Sequence, residues 1–213
     1  MSLMINEIYY SIQGESSLAG KPCIFIRLTY CNLRCSYCDS EHAFYNGNKM
    51  DINDIIIKIK RWPCKLVEVT GGEPLLQKEC IKLLNKLIKL KYDVMLETSG
   101  SLPLNKVPNK VIKIIDFKCP SSKMEHKNTW EIIKDISRHD EIKFVIGNRE
   151  DYDWAKEKIY EFKLNEICTI LFSPVFNMIN PKKIVEWILK DNIPVRLQLQ
   201  MHKIIWDPNK LGV

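Results

Sequence analysis

The strongest constraint on the fold of this 213-residue sequence is an alternation of two hydrophobic periods. Short apolar, β-branched runs at 23–28, 65–70, 93–97, 111–116, 141–146, 168–172 and 194–199 read as strands. Between them lie stretches with apolar residues three and four apart, at 55–62, 77–91, 129–137, 150–162 and 181–190, which read as helices. Asp51 offers an N-cap to the first of these, and Pro181 opens the last as an N1 proline. An earlier strand is expected at 4–10, followed by a polar turn at 11–15. Strands alternating with helices of this length indicate an α/β fold with a parallel sheet, whose chemistry collects at the C-terminal strand ends. Those ends carry the polar and glycine-rich segments of the chain: 31–40, 70–74, 97–100, 116–122, 147–148, 173–174 and 200–203.

Composition narrows the class. Forty-six per cent apolar residues suffice for a core, and one domain over 1–213 is expected, with residues 1–3 reading as an expression scar ahead of Met4. The net charge of +6 is spread over amphipathic segments, so no nucleic-acid surface is expected. No run approaches the roughly 18 apolar residues of a membrane span, and no basic-then-apolar leader is visible, so a cytoplasmic protein without membrane contact is expected. In that reducing setting the clustered members of the eight cysteines are expected to bind metal rather than form disulfides.

Three of those cysteines, Cys31, Cys35 and Cys38, lie on one loop after the second strand. Their x3 and x2 spacing lets three thiolates converge on one metal centre. On a four-iron cube, three ligands leave one iron open. A tetrahedral zinc site completed by His42 is the alternative. Arg27 sits on an otherwise apolar strand and must meet an anion, either a buried carboxylate of the protein or a ligand's carboxylate. Gly71-Gly72-Glu73-Pro74 either forms an ordinary turn or leaves backbone groups open to a ligand. Ser40 either caps a turn or offers an oxygen to a hard cation.

The cysteine spacing with the downstream Gly-Gly-Glu-Pro resembles the radical S-adenosylmethionine superfamily. Ser11-Ile12-Gln13-Gly14-Glu15, Arg27, the Cys-Asp-Ser ending at Ser40, Asp116-Phe117-Lys118 with Pro120-Ser121-Ser122, residues 143–146 and His202-Lys203 narrow the resemblance to the 7-carboxy-7-deazaguanine synthase family. That resemblance covers nearly the whole chain and implies a partial, open (β/α)6-like TIM-type barrel with few helices. It further implies that a 5′-deoxyadenosyl radical takes hydrogen from C6 of 6-carboxy-5,6,7,8-tetrahydropterin. Rearrangement with loss of ammonia then gives 7-carboxy-7-deazaguanine.

The same resemblance implies a [4Fe-4S] cluster on Cys31, Cys35 and Cys38, and Mg²⁺ at Ser40. Ile12, Gln13, Gly14, Glu15, Arg27 and Thr70 are expected at the pterin, with Glu15 and Arg27 as the catalytic pair. S-adenosylmethionine is expected at Tyr37, Cys38, Asp39, Gly72, Thr98, Ser99, Lys118, Cys119, Pro120, Ser173, Pro174, Val175 and Phe176; for the Cys119 thiol, packing is preferred to ligation. A homodimer and a flavodoxin- or ferredoxin-type electron donor are also implied. Two positions depart from the family, which commonly has glycine where this chain has Ser16 and Tyr30. Alternative functions are a radical activase acting on a protein partner, and a zinc-stabilised interaction module.

Overall fold

Successive residues of a strand point to opposite faces, and in this chain the two faces differ in chemistry. A computed structural model describes residues 1–213 and gives nine strands: β1 (Ser2–Ile12), β2 (Pro22–Leu28), β3 (Asn48–Asp51), β4 (Leu66–Gly71), β5 (Asp93–Thr98), β6 (Ile112–Phe117), β7 (Glu141–Ile146), β8 (Thr169–Pro174) and β9 (Arg196–Leu197). The helices are α1 (Ile52–Ile59), α2 (Cys80–Lys89), α3 (Arg149–Glu161), α4 (Leu164–Ile167), α5 (Pro181–Asp191) and α6 (His202–Ile205). All strands form one sheet in the order β3-β1-β2-β4-β5-β6-β7-β8-β9. The pairs from β2 to β9 are parallel, whereas β1 runs antiparallel to both β2 and β3. The two end strands do not meet, so this is the expected open partial barrel rather than a closed one.

One face of the sheet carries Ile24, Ile26, Leu28, Val67, Val69, Leu96, Ile115, Phe117, Ile142, Phe144 and Phe172. These pack against the apolar stripes of α1, α2 and α3 in the main core. The other face is apolar only toward the strand starts, where Cys23, Phe25, Leu66, Met95 and Ile114 form a small cluster. Two residues farther along each strand the same face turns polar, with Arg27, Glu68, Thr70, Glu97, Asp116, Lys143 and Ser173. This charged floor at the C-terminal strand ends is what the rest of the fold positions.

Local signals hold where they are strong. Asp51 caps α1, its side chain accepting from the Asn53 N–H at 3.0 Å, and Asn180 caps α5 ahead of Pro181. Several expectations are corrected. Ser2 and Leu3 belong to β1, pairing with Asp51 and Met50, and Leu3 is buried. Residues 11 and 12 continue that strand rather than turning, and β3 is a strand that the periodicity does not show. The helix expected at 129–137 is a 3-10 turn over Trp130–Asp135, because Trp130, Ile133 and Ile136, three apart, all pack on the core. The last strand shrinks to Arg196–Leu197, with Pro194 unable to donate to a ladder.

Beneath the main core lies one buried ion pair, Lys113 Nζ to Asp140 Oδ2 at 2.8 Å, with side chains 3% and 0% exposed. Asp140 also accepts from the Lys113 N–H, the Ser137 N–H and the Ser137 hydroxyl, each at 2.8 Å. Asp140→Ala strands a buried ammonium and three donors, and is expected to cost about 3–5 kcal/mol of unfolding free energy by urea titration.

Candidate active site

The cysteine loop crosses the C-terminal strand ends and is tied down on several sides. Leu33 is buried beneath it, and the Arg34 guanidinium donates to the Cys31 carbonyl at 2.9 Å and the Tyr45 hydroxyl at 3.1 Å while lying 4.3 Å over the Phe44 ring. Ser36 donates from its N–H to the Ser122 carbonyl at 3.1 Å and from its hydroxyl to the Ser121 carbonyl at 2.6 Å, joining the loop to the segment after β6. Tyr37 reaches the Val145 carbonyl at 3.4 Å. The three thiols are half-buried and free of disulfides. Burial pushes all three up, Cys38 to about 11, while the Lys118 ammonium pulls each of them down.

Backbone contacts place the glycine-rich segment directly on this loop. The Glu73 N–H donates to the Tyr30 carbonyl at 2.7 Å, and a Cβ at Gly72 would stand 2.7 Å from Cβ of Cys31 and run into the Tyr30 carbonyl. The bare Gly72 thus makes the cradle beside Cys31, and the Leu33 N–H points at the Cys31 sulfur at 3.4 Å. This set of loop thiols with a backbone donor fits an iron–sulfur cluster. The zinc alternative lacks its fourth ligand, since His42 faces Glu7 at 3.6 Å.

Glu73 organises the next strand end. Its carboxylate is fully buried and accepts from the Thr98 hydroxyl at 2.9 Å, the Ser99 N–H at 2.8 Å, the Ser99 hydroxyl at 2.6 Å and the Leu75 N–H at 2.9 Å. The hydroxyls of Thr98 and Ser99, expected at the cofactor, are thereby spent on Glu73. Ser99 continues through Ser101 to Asn32 of the cysteine loop, at 2.8 and 3.0 Å. Lys118 is half-buried with its ammonium 3.1 Å from Asp116, and Ser173, Pro174 and Val175 are buried at the end of β8 with Phe176 exposed beyond them. Cys119 belongs in the core with no exposed surface, and burial lifts its thiol far above the ordinary range, so its side chain packs.

Across the floor, Lys143 lies between three carboxylates, Glu15 at 2.8 Å, Glu97 at 2.5 Å and Asp116 at 3.4 Å. Burial alone would push the Glu15 carboxyl up. The Lys143 ammonium, with hydrogen bonds from Lys143 and Gln200, holds it below the usual range instead. Gln198 and Gln200 donate to Glu15 at 3.0 and 2.9 Å, and Thr70 donates to Glu97 at 3.0 Å. Asp39 receives Lys203 at 2.7 Å, Gln200 at 3.0 Å and the Ser40 hydroxyl at 3.1 Å. Ser40 precedes a 3-10 turn without capping it through its side chain, so its oxygen stays beside the Asp39 carboxylate.

Two expected substrate residues are engaged within the protein. Arg27 donates through Nε to Glu7 at 2.8 Å and through a terminal nitrogen to the Tyr9 hydroxyl at 3.2 Å, so its anion here is the protein's own half-buried Glu7 carboxylate. Gln13 turns its amide down to Glu68, and its oxygen accepts from the Glu15 N–H at 3.0 Å. Ile12 ends β1, and Gly14 lies under the His202 ring, which a Cβ there would strike. Sequence reasoning missed Glu7, Glu68, Glu97, Lys143, Gln198 and Gln200. The logic applied to Arg27, a charge on an apolar strand, would have found Glu68 and Lys143.

The two departures from the family pattern share one cause of strain, since Ser16 and Tyr30 have φ of 65° and 81° in the left-handed region that glycine tolerates. Tyr30 is 44% exposed and buries little. Tyr30→Gly is therefore expected to stabilise the protein by about 0.5–1 kcal/mol in urea titrations, the relief of left-handed strain less the entropy of glycine. Gly72→Ala pushes a methyl into Cys31 and the Tyr30 backbone, and is expected to lower the iron and sulfide bound per chain after anaerobic reconstitution.

Residues 25–190 match the radical SAM superfamily. Over its full length the chain is similar to curated relatives: 44% identity across 99% of this chain and all of the 7-carboxy-7-deazaguanine synthase of Koribacter versatilis. Identity is again 44% across 99% of this chain and 97% of the 7-carboxy-7-deazaguanine synthase of Chlorobaculum tepidum. Among solved structures, QueE from Escherichia coli superposes with a TM-score of 0.79 over 95% of each chain at 22% identity, a likeness of fold. With cysteine loop, glycine cradle and charged floor on one sheet edge, the chain belongs to the 7-carboxy-7-deazaguanine synthase family of the radical SAM superfamily.

Proposed function

We propose that this chain converts 6-carboxy-5,6,7,8-tetrahydropterin to 7-carboxy-7-deazaguanine with loss of ammonia, a carbon–nitrogen lyase step in 7-deazapurine biosynthesis. The observation that carries the reading is the charged floor under the cysteine loop, where Lys143 meets Glu15 and Arg27 lies on the same face at the end of β2. When bound, the [4Fe-4S] cluster and S-adenosylmethionine supply the radical that takes hydrogen from C6 of the substrate. Cys31, Cys35 and Cys38 would hold the cluster, and the Gly72 cradle, Tyr37, Asp39 and the segments at Lys118–Pro120 and Ser173–Phe176 would hold the methionine and nucleoside.

The residues of the floor have distinct tasks in this reading. Arg27 exchanges part of its contact with Glu7 for the substrate carboxylate, keeping a planar fork on an anion throughout. Glu15, kept ionised by Lys143, accepts from N–H groups of the pterin edge, and Gly14, whose N–H makes no hydrogen bond within the chain, donates to it. Thr70 borders the ring through its tie to Glu97. The Ser40 hydroxyl beside the Asp39 carboxylate offers oxygen ligands to Mg²⁺, which favours such donors and retains water and substrate oxygens. A homodimer, a flavodoxin- or ferredoxin-type donor and a cytoplasmic setting complete the proposal. No helix is long and apolar enough to cross a membrane.

Anaerobically reconstituted protein supplied with reductant, S-adenosylmethionine and Mg²⁺ is expected to form 7-carboxy-7-deazaguanine from the pterin. A fully loaded enzyme that leaves the pterin unchanged would falsify the assignment. Arg27→Ala is expected to lower kcat/KM for the pterin roughly 10- to 100-fold, the worth of one charged hydrogen-bond pair. Ser40→Ala is expected to blunt the response to Mg²⁺, and an unaltered Mg²⁺ titration removes Ser40 from the metal site.

A further inference from the structure

Glu68 is a carboxylic acid in the middle of the sheet, 6% exposed, on β4 between Leu66 and Thr70 of the floor face. No cation touches it. Its one side-chain partner in the chain is the Gln13 amide, which donates to Oε2 and also lies 3.7 Å from the Met95 sulfur. The orientation of that amide is dictated from above, because its oxygen accepts from the Glu15 N–H, so its NH2 group must face Glu68. Gln13 therefore bridges the floor of the sheet to the backbone of Glu15. Its own N–H donates to the Lys21 carbonyl and its carbonyl accepts from the Gly20 N–H, both at 2.8 Å, which closes the loop between β1 and β2.

We propose that Glu68 is a positioning residue for substrate binding: it fixes the Gln13 amide, which fixes the backbone of Glu15 so that its carboxylate meets both Lys143 and the pterin. The proposal rests on the reading of Glu15 as a pterin contact. The charged and titratable groups around Glu68 come from every neighbouring element: Tyr9 on β1, Cys23 on β2, Glu97 on β5, Lys143 on β7 and Glu15 on the loop. Burial and the nearby Glu97 and Glu15 carboxylates push Glu68 up to about 8, with Lys143 and Gln13 opposing. Ionisation would set a further anion against Glu15 and Glu97 in competition for the single ammonium of Lys143. Gln13 would then remain bonded, but the carboxylate it positions would share its counter-ion with a further anion.

The test compares wild type with Glu68→Gln and Glu68→Ala in the reconstituted enzyme. Glu68→Gln keeps an acceptor for Gln13 without a titratable proton. It should hold the pterin KM near the wild-type value at pH 7 and abolish the rise in KM that wild type shows as pH passes through about 8. Glu68→Ala should raise KM about tenfold, the loss expected for one hydrogen bond, with kcat little changed. A wild-type KM in Glu68→Ala, or a retained pH 8 inflection in Glu68→Gln, overturns the proposal.

A second measurement does not depend on the pterin. In wild type the folded form keeps a proton that the unfolded chain releases above its ordinary value of 4.5, so wild-type stability falls relative to Glu68→Gln from about pH 4.5 to 8 and then levels. Parallel pH–stability curves for the two proteins overturn the uncharged state even if the pterin is not the substrate. Absence of pterin turnover with diverging stability curves refutes the functional reading while leaving Glu68 uncharged beneath Gln13.

Discussion

The active-site edge depends on one buried ammonium. Lys143 stands among Glu15, Glu97 and Asp116, three carboxylates from three different parts of the chain, and each is on the floor because Lys143 is there to meet it. Removing charge from water is expensive, and the interaction is worthwhile only when the partners are held in place. The parallel ladder does this, since Asp116 on β6 is register partner to Lys143 on β7. Net negative charge persists around the ammonium, while Arg27 at the β2 end carries the opposite charge, paired with Glu7.

Above the floor, the loop that would carry the cluster is fixed by side-chain hydrogen bonds together with close backbone packing at Gly72. Glu73 gathers Thr98 and Ser99, Ser99 reaches Asn32 through Ser101, and Gly72 leaves the space into which Cys31 fits. A carboxylate that appears in the sequence as part of a cofactor motif serves in the fold as the knot between two strand ends. The hydroxyls of Thr98 and Ser99 then face inward, and what remains available to a ligand at that edge is the backbone.

Eight of the nine strands, the N-cap at Asp51 and the cysteine loop were legible in the sequence because each rests on local periodicity or on residue types with restricted conformations. The family resemblance supplied the openness of the barrel. Side-chain direction was not legible in the same way. Arg27 was correctly required to meet an anion, yet Glu7 is chosen because β1 runs antiparallel beside β2 and places the two residues in register. The Gln13 amide is turned to Glu68 because its oxygen accepts from the Glu15 N–H, an orientation that only the folded loop determines. The short β3 lacks an apolar period of its own and exists by pairing with β1, while the alternating run at 195–199 pairs with β8 only at Arg196 and Leu197.

The partners of Glu15 also set an order of events in the life of the chain. Gln198 and Gln200 bond it across sequence separations of 183 and 185, and the Met201 N–H closes on the Gly14 carbonyl at 2.9 Å. A chain growing from its N-terminus has made the cysteine loop and most of the sheet long before those residues exist. During synthesis the Glu15 side of the strand ends therefore stays open after the cysteine loop has its scaffold, and it closes only when the segment at Gln198–Met201 arrives.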